Sequence, residues 1–567
     1  MNCTMFKKGI LCAVGAAISL WAFLLAGCAS EMDVQEQTGT TIEAQSSSVT
    51  EEPGEEPDTD IVYSEAVPGW KLHADDKVSF DWYINYSWFT TPWGENLVSK
   101  KITEETGIDI HFVTPMGNES EKLNVLIASD TLPDIVTLGW WESQVDEMIE
   151  KDMVYALNEL ADQYDAYFWQ VADPQIVSWN TNEDGNIYVY PNSSYSPEDF
   201  EKRDDIGSNQ TFLVRKDIYE AIGSPDMSTQ EGFQNAVRKA VELFPEVDGE
   251  PLIPIGAHEF TNAGCVSFDQ YLQNFLAVPY EKDGRIYDRY TDEEYLSWLK
   301  TFRQLGSEGY LSRDIFIDQR RQMEEKLSKG RYFCMIFQRT DMEAQQKELY
   351  QEHPERIYIA VDGPRNSHKD DPVLPGSGIN GWTVTLISKN CQRPDRAIEL
   401  LSYFLSEEGQ KMIYLGVEGI TYDMVDGVPV MNEEVQQLLD TNRAEYDRLY
   451  GADNAYWMLQ DNAMQLEWRR APVGPVGDLE VWTYPYTHYL GQYEINYGGN
   501  DEAAKADTAI NKLWSQMLPK LLLAESDEEF ERLVKQFKRE RLQLNYGAWL
   551  EESTKQIAEN KRKLGMN

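Results

Sequence analysis

Basic side chains are scarce in this chain of 567 residues, which has 50 Lys and Arg against 97 Asp and Glu. The formal net charge is therefore -47 at pH 7. So acidic a protein is repelled by phosphates, and nucleic-acid binding through a broad basic face is excluded. An acidic surface is compatible with a soluble extracellular protein but does not by itself identify one.

Cysteine and histidine are also rare, with six of each. Cys265, Cys334 and Cys391 are far apart in the sequence, so no disulfide framework or CxxC metal motif is predicted. No two histidines have the spacing of a zinc site. Residues 182–186 resemble part of a calcium loop but lack its spaced carboxylates, so we predict a turn there. We therefore expect no metal and no cofactor.

Long hydrophobic runs are few, and the first is Ile10–Leu25, which follows Lys7 and Lys8. This run is shorter than the roughly 20 residues of a membrane-spanning helix, so residues 1–27 are predicted to be a secretory signal peptide. The junction 25–28 (Leu-Ala-Gly-Cys) resembles the lipobox of bacterial lipoproteins, which implies cleavage before Cys28 and a diacylated thiol. The alternative is an ordinary secreted protein in which this cysteine is accidental.

Basic and large apolar residues are again few in the stretch 28–68. It is rich in Ser, Thr, Glu and Gln, and it has ten acidic residues and no basic residue before Ile61. Such a composition cannot bury a core, so we predict a disordered acidic tether between the membrane surface and the folded body.

The folded body begins near Lys77 with a regular alternation of elements. The hydrophobic pattern predicts strands at 78–84, 108–113 and 134–138, separated by helices at 97–106 and 119–128. This βαβαβ order predicts a parallel sheet and an α/β fold, in which ligands bind beyond the carboxyl ends of the strands.

Aromatic residues are abundant, with 16 Trp and 31 Tyr, and two clusters of them follow strands of this sheet. One contains Asn85, Tyr86 and Trp88, and the other contains Trp140 and Trp141. Because both clusters follow parallel strands, we expect them to lie on the same side of the sheet. Adjacent residues on a strand point in opposite directions, so one of the two adjacent tryptophans is expected to pack and the other to face a cleft.

Further strands are predicted at 211–216 and 331–337, and the chain from Asp501 is predicted to be helical. Ser228 with Glu231 and Thr291 with Glu294 have the spacing of a capping box, and each predicts the start of a helix. Asp283-Gly284 predicts a hairpin turn.

Several segments of the body resemble the extracellular solute-binding proteins, family 1, of bacterial ABC importers, particularly the large lipoproteins of Gram-positive bacteria. They lie within most of residues 78–425, whereas the final 140 residues match only loosely. The segments are 102–108, 121–136, 290–295, 308–311, 381–391, 397–409 and 416–422.

The resemblance implies a two-lobed periplasmic-binding-protein-like fold of type II, with doubly wound sheets joined by a hinge. The first lobe would contain 69–208 and 376–440, and the second 209–375. Residues 441–567 would form a C-terminal helical region that packs across both lobes. The implied protein is a lipid-anchored monomer on the extracellular face of the cell membrane, and it delivers a carbohydrate to the permease subunits of an importer.

Carbohydrate recognition requires flat apolar faces together with planar hydrogen-bonding side chains. The residues placed nearest the cleft on this basis are Asn85, Tyr86, Trp88, Trp140, Trp141, Gln338, Arg339 and Trp382. Two alternatives stay open: a ligand sensor for a surface signalling system, and a surface glycoside hydrolase, since a catalytic pair of carboxylates cannot be recognised without geometry.

Overall fold

The computed structural model describes residues 66–117, 119–261, 264–497 and 502–566. The predicted signal peptide, Cys28 and nearly all of the predicted tether lie outside these residues. Within the described part of the chain, no helix is both long enough and apolar enough to cross a membrane.

The predicted βαβαβ unit is present and forms the centre of the first sheet. Val78–Ile84 pairs in parallel with Ile108–Val113 on one side and with Ile135–Gly139 on the other. Thr383–Ile387 returns to this sheet and runs antiparallel between Ile135–Gly139 and Tyr190–Pro191. The connecting helices are Leu97–Thr106 and Glu119–Ala128.

Local chemistry explains where these elements begin and end. The Asn96 side chain accepts a hydrogen bond from Ser99 N–H and caps the first helix, which ends at Gly107 in a left-handed conformation (φ 74°). The third strand begins at Ile135, one residue later than predicted. The reason is that the Asp134 carboxylate is used to accept a hydrogen bond from Asp81 N–H, at 2.9 Å.

The second sheet is mixed and is built from later residues. Gln210–Arg215 runs antiparallel to both Tyr358–Ala360 and Tyr332–Gln338, and Ile253–Gly256 pairs in parallel with Tyr332–Gln338. Two of these strands are shifted by one residue from the predicted 211–216 and 331–337. Lys216 instead begins the helix Lys216–Ala221.

Two predicted helix caps are wrong by one residue. Gln230–Leu243 is capped by Thr229, because Ser228 donates its hydroxyl hydrogen bond to Asp226. Glu293–Ser307 is capped by Asp292, whose carboxylate accepts from Tyr295 N–H. Short Asx and hydroxyl interactions compete for the same backbone groups, so spacing alone does not select the capping residue.

Each sheet lies against its own hydrophobic core. Helices Leu157–Tyr164, Pro394–Leu405 and Glu407–Tyr414 cover the first sheet together with the segment around Trp457. The helices over the second sheet include Gln230–Leu243 and Glu293–Ser307, and others there are Arg320–Ser328, Glu343–Glu352 and Gly474–Thr483. The molecule is thus an α/β protein with two lobes.

The C-terminal chain is helical, as predicted from Asp501 onward, with helices Glu502–Leu522, Asp527–Leu542 and Tyr546–Lys563. Trp514 and Phe537 from the first two of these helices belong to the core of the second lobe. The last helix also reaches the first lobe, where Lys563 Nζ donates to the Trp179 carbonyl at 3.2 Å. The domain boundaries given above remain predictions.

Several segments pass between the lobes. Leu374–Pro375 pairs in parallel with Thr487–His488, and Gly376 N–H extends this ladder to the His488 carbonyl at 3.0 Å.

The expected turn at 182–186 is confirmed, since Gly185 has a φ of 83° and Asn186 N–H donates to Asp184.

Candidate functional site

A cavity of about 1240 Å³ opens between the two lobes. It is lined from one side by residues at the carboxyl edge of the first sheet and from the other by residues at the end of strand Tyr332–Gln338. Five of the eight residues selected from the sequence line it, namely Trp88, Trp141, Trp382, Gln338 and Arg339.

The first lobe contributes an aromatic wall, which we define as Trp88, Trp141 and Trp382. Trp88 and Trp382 lie with their ring planes 19° apart and their centroids at 6.3 Å. Trp88 and Trp141 are each 58% exposed, so their ring faces are accessible from the cavity. Large aromatic groups exposed at a concave surface are characteristic of ligand sites rather than of packing.

The position of Trp88 is fixed from both sides. The turn that carries it is tied to helix Glu119–Ala128, because Ser87 donates both its N–H and its hydroxyl to the Glu119 carboxylate. Behind the ring, Trp457 lies at a centroid distance of 5.6 Å and is buried. Trp457 was not predicted, since nothing in its local sequence marks it.

Trp382 is held by a buried asparagine. Asn192 accepts a hydrogen bond from Thr383 N–H at 2.9 Å and donates its amide to the Trp457 carbonyl at 3.1 Å. It therefore joins the backbone at Trp382 to the backbone at Trp457, whose ring lies 4.5 Å from that of Trp382. Because Asn192 is fully buried, this arrangement is rigid.

Asn85 and Tyr86 were expected to face the cleft and do not line it. The Asn85 amide donates to Glu142 and accepts from the Tyr83 hydroxyl, which satisfies it inside the first lobe. Tyr86 packs behind the aromatic wall, with its ring 5.5 Å from Trp88 and 5.3 Å from Trp382. Tyr86 therefore supports the wall from behind, whereas Asn85 is bonded within the lobe.

The adjacent tryptophans 140 and 141 separate as expected. Trp141 lines the cavity and lies across Gly139, where an added Cβ would come within 2.8 Å of the indole ring. Trp140 packs instead against the small core around Leu138 and Val145. It also borders a second cavity of about 970 Å³, which lies on the other side of this strand end.

The loop that leads into Trp382 has a glycine spacing that sequence analysis did not single out. Residues 376–381 have the GxGxxG spacing of dinucleotide-binding loops. Here the loop precedes a strand and does not join a strand to a helix, so it lacks the helix N-terminus of a phosphate site. Its last glycine has a structural role, because a Cβ on Gly381 would lie 1.5 Å from the Asn192 carbonyl oxygen.

The second lobe contributes a polar wall, together with Arg469 and Glu480 from the C-terminal region 441–567. Gln338 is its central neutral member: it accepts from the Tyr271 hydroxyl at 2.8 Å and donates to Thr340 at 2.9 Å. We define the polar wall by its hydrogen-bonding and charged members, which are Glu259, Arg320, Glu324, Gln338, Arg339, Asp341, Arg469 and Glu480.

Arg320 and Asp341 form the first ionic group of this wall. Arg320 donates to Asp341 at 2.7 Å and to Glu324 at 2.6 Å. Burial lowers the pKa of Arg320, but these two carboxylates outweigh burial and raise it above its usual value. Burial likewise raises the pKa of Asp341, yet His258 and Arg320 more than offset this and leave it lowered. Both groups are therefore ionised at neutral pH.

Glu480 forms the second ionic group. Its two carboxylate oxygens contact Arg339 at 3.1 Å and Arg469 at 2.6 Å. Arg339 also donates to the Ser208 carbonyl, which fixes its direction at the base of the cavity. Of these residues, only Arg339 was predicted, because Glu480 and Arg469 come from a C-terminal segment without a recognisable local pattern.

The cavity thus has flat apolar faces on one side and oriented hydrogen-bonding groups on the other. Apolar faces opposite polar groups are the usual lining of a small-molecule binding site. Among the described residues, no cluster of three or more His, Cys, Asp or Glu side chains could hold a metal ion.

Comparison with known proteins agrees with this geometry. No family model matches the chain. It is 20% identical over 342 residues to Lipoprotein LipO of Bacillus subtilis, covering 58% of this chain and 64% of LipO. It is 20% identical over 411 residues to the polygalacturonan/rhamnogalacturonan-binding protein YtcQ of the same organism, covering 68% of this chain and 75% of YtcQ. The chain therefore aligns with less than two thirds of the length of LipO.

A solved structure extends the likeness to most of the fold. The ABC-transporter substrate-binding protein FusA of Streptococcus pneumoniae, in complex with kestose, superposes with a TM-score of 0.64 at 14% identity. The superposition covers 86% of this chain and 100% of that one. The chain has the two-lobed α/β fold of the solute-binding proteins.

Proposed function

We propose that this protein is an extracellular receptor that captures a carbohydrate, either a monosaccharide or an oligosaccharide, and delivers it to an ABC importer. The observation that carries the proposal is the cavity between the lobes, where an aromatic wall faces a polar wall. The names of FusA and YtcQ, a fructooligosaccharide transporter protein and a polygalacturonan/rhamnogalacturonan-binding protein, support the same class of ligand.

The two walls match the two surfaces of a sugar ring. A pyranose has C–H faces that pack against indole rings, and the nearly parallel faces of Trp88 and Trp382 suit this contact. Its hydroxyls both donate and accept hydrogen bonds, which the carboxylates, guanidinium groups and amide of the polar wall can satisfy. A cavity of about 1240 Å³ has room for more than one sugar unit.

The ionic pairing of the cavity carboxylates supports binding rather than hydrolysis. A glycoside hydrolase needs one carboxyl group that stays protonated near neutral pH to donate a proton to the leaving group. Glu324, Asp341 and Glu480 each contact a guanidinium group. Burial would raise the pKa of Asp341, but His258 and Arg320 leave it lowered, which is the opposite of what an acid catalyst needs.

A thermal-shift screen with a glycan panel tests the proposed function. A ligand that binds only the folded protein at 100 times its dissociation constant stabilises it by about 2.7 kcal/mol, which raises Tm measurably. We expect at least one glycan to raise Tm, and product analysis of the same mixture to show no hydrolysis. A panel without any stabilising glycan would contradict the proposal, and released shorter sugars would favour the hydrolase.

The proposed location is the outer face of the cell membrane, through a diacylated Cys28, with the protein acting as a monomer beside its permease. Two acyl chains anchor a protein stably, whereas a single chain of similar length binds only marginally. We expect Cys28→Ala to release the protein into the medium, and Cys12→Ala in the predicted signal peptide to leave it bound. Retention of Cys28→Ala in the membrane fraction would contradict lipid anchoring.

A further inference from the structure

The charges that line the cavity are nearly balanced, in contrast to those of the whole chain. The sequence has 97 acidic against 50 basic residues. Among the described residues that line the cavity, the basic members are Arg320, Arg339 and Arg469, and each of them is an arginine on or beside the polar wall. Guanidinium groups are the usual partners of carboxylate ligands. Whether these three arginines are already paired with carboxylates of the protein therefore decides whether an acidic sugar can bind.

None of the three guanidinium groups is free. Arg320 lies between two carboxylates, with Asp341 at 2.7 Å and Glu324 at 2.6 Å. Arg339 and Arg469 share Glu480, at 3.1 and 2.6 Å. The positive charges of the cavity are therefore already matched by carboxylates of the protein.

A fourth carboxylate has no such partner. Glu259 lines the cavity, and its Oε2 is buried without a hydrogen-bond partner. An unpaired buried acceptor is costly unless a donor reaches it, and a sugar hydroxyl is such a donor. Together with Glu324, Asp341 and Glu480, it gives the cavity one more negative than positive charge.

The aromatic wall does not change this balance. The described residues that line the cavity from the first lobe are uncharged, and they include Ser193, Gln460 and Asn462 beside the three tryptophans. A carboxylate ligand would therefore find no unpaired cation in the lining and a net negative charge around it.

We propose that the cavity selects uncharged oligosaccharides and rejects sugars that carry carboxylates. This inference rests on the proposed function and narrows its substrate class. A uronate would have to displace Glu480 or Asp341 from its arginine, which leaves a desolvated carboxylate of the protein unpaired. An uncharged sugar can instead donate its hydroxyls to the same carboxylates without separating any ion pair.

The test uses pairs of probes that share the same sugar backbone and differ at the carboxyl position in charge. Suitable pairs are trigalacturonate with its methyl ester, and β-1,4-mannotriose with β-1,4-trimannuronate, each measured by calorimetry with the purified protein. We expect the uncharged member of any pair that binds to be at least about tenfold tighter, because like charges across a binding site cost affinity. Its affinity should also change little with added salt, since no net charge is neutralised on binding.

Two variants test whether the protein carboxylates cause the selectivity. Glu480→Gln leaves Arg339 and Arg469 without their shared carboxylate, and Glu324→Gln removes one partner of Arg320. Each should raise the affinity for the charged member of a pair, by about tenfold for Glu480→Gln. Glu408→Gln removes an equal charge at an exposed pair with Lys71, which does not line the cavity, and should leave both affinities unchanged.

Glu324→Gln keeps the test decisive if Glu480→Gln fails to fold, because Glu324 is half-buried in the middle of helix Arg320–Ser328, whereas Glu480 is buried. Equal or tighter binding of the charged member by the wild-type protein would overturn this inference and leave the proposed function intact. Failure of both members of every pair to bind, together with a negative glycan panel, would overturn the proposed function and this inference with it.

Discussion

The two sides of the cavity differ in chemistry. On one side, Trp88 and Trp382 expose the faces of their rings. On the other side, Arg320 and Glu480 are each already paired with oppositely charged side chains of the protein. The ring faces gain free energy from buried area and tolerate small rotations of a ligand. The ionic groups have fixed directions and lose free energy when a bond is separated. If the protein binds a sugar as proposed, we therefore expect the aromatic wall to contribute most of the affinity and the polar wall to determine which sugar is accepted.

The two walls also differ in how they are supported. The aromatic wall depends on a few packed contacts, of which the approach of Gly381 to the Asn192 carbonyl is the closest. The polar wall depends on side-chain contacts between segments that are distant in the sequence, such as Arg339 to Glu480 and Arg339 to Ser208. A backbone change should therefore damage the aromatic wall more than the polar wall.

The largest effect is expected for Gly381→Ala. Gly381 has a φ of 57°, and the new Cβ would collide with the Asn192 carbonyl. A left-handed conformation alone costs an alanine about 1–2 kcal/mol, and the collision should bring the loss of stability to about 3 kcal/mol or more. Denaturant unfolding measures the loss, and sugar affinity should fall with it.

Gly427→Ala is the matched control for this variant. Gly427 also has a positive φ, of 82°, but no heavy atom lies within 4 Å of its added Cβ. It should show only the backbone cost and bind sugar normally. Equal losses of stability in the two variants would contradict the role of the close contact at Gly381.

The next largest effect is expected for Trp88→Ala. Removing a large aromatic anchor from a ligand site commonly costs about 2 kcal/mol or more, roughly thirty-fold in dissociation constant. The 58% exposure of Trp88 means that stability should change little, so calorimetry should show a loss of affinity with an almost unchanged Tm. Trp140→Ala is the control, because Trp140 packs in a core outside this cavity and should lose stability but not affinity.

The aromatic wall was predictable from the sequence to a larger extent than the polar wall. Strand Val78–Ile84 alternates regularly, and this pattern placed Trp88 at a carboxyl end of the sheet. Asn85 and Tyr86 were misplaced because the chain turns at Tyr86, where its N–H donates to the Ile84 carbonyl, and the two side chains pack back into the lobe. Adjacency to a strand end predicts the region of a site but not the direction of each side chain.

The polar wall was mostly invisible in the sequence. Gln338 and Arg339 lie at the end of a predictable apolar strand. Arg320 begins one helix and Glu480 lies within another, and neither helix has a local pattern that marks these residues as part of a site. Their partners are set by tertiary contacts over 21 residues, for Arg320 with Asp341, or 141 residues, for Arg339 with Glu480. One carboxylate among 97 acidic residues has no local pattern that marks such a contact.

A pH-dependent change in stability is expected where the loop 376–381, which leads into Trp382, contacts Glu494. Glu494 accepts a hydrogen bond from Asn380 N–H at 3.2 Å, and burial raises its pKa to about 7. A raised pKa in the folded state means that this group's stabilisation is complete below about pH 4.5 and is lost as the pH rises through 7. The free energy of unfolding should therefore fall over this range, by roughly 1.4 kcal/mol for each unit by which the pKa is raised.

Glu494→Gln should remove this dependence, because glutamine keeps the acceptor and cannot ionise. Its Tm should match that of the wild type near pH 4.5 and exceed it at pH 8. Glu434→Gln, at an exposed helix position, should leave the difference between the two pH values unchanged. A constant Tm difference between Glu494→Gln and the wild type across this range would contradict the assignment.

The smallest effect is expected for Gln338→Ala. Its amide already accepts from Tyr271 and donates to Thr340 and Asp341, so it has one acceptor lone pair left for a ligand. Loss of one hydrogen bond to an uncharged sugar should cost about 1 kcal/mol, roughly fivefold in dissociation constant by calorimetry. Gln436→Ala on the exposed helix Glu433–Thr441 should leave binding unchanged. A loss for Gln338→Ala larger than that for Trp88→Ala would reverse the comparison of the two walls.

A crystal structure of the protein with a glycan that raises its Tm tests the central claim most directly. The account predicts a sugar ring packed against Trp88 or Trp382, with its hydroxyls directed at Gln338 and the carboxylates of the polar wall. A sugar seated instead in the second cavity, beyond Trp140 and beside Trp179, would contradict it.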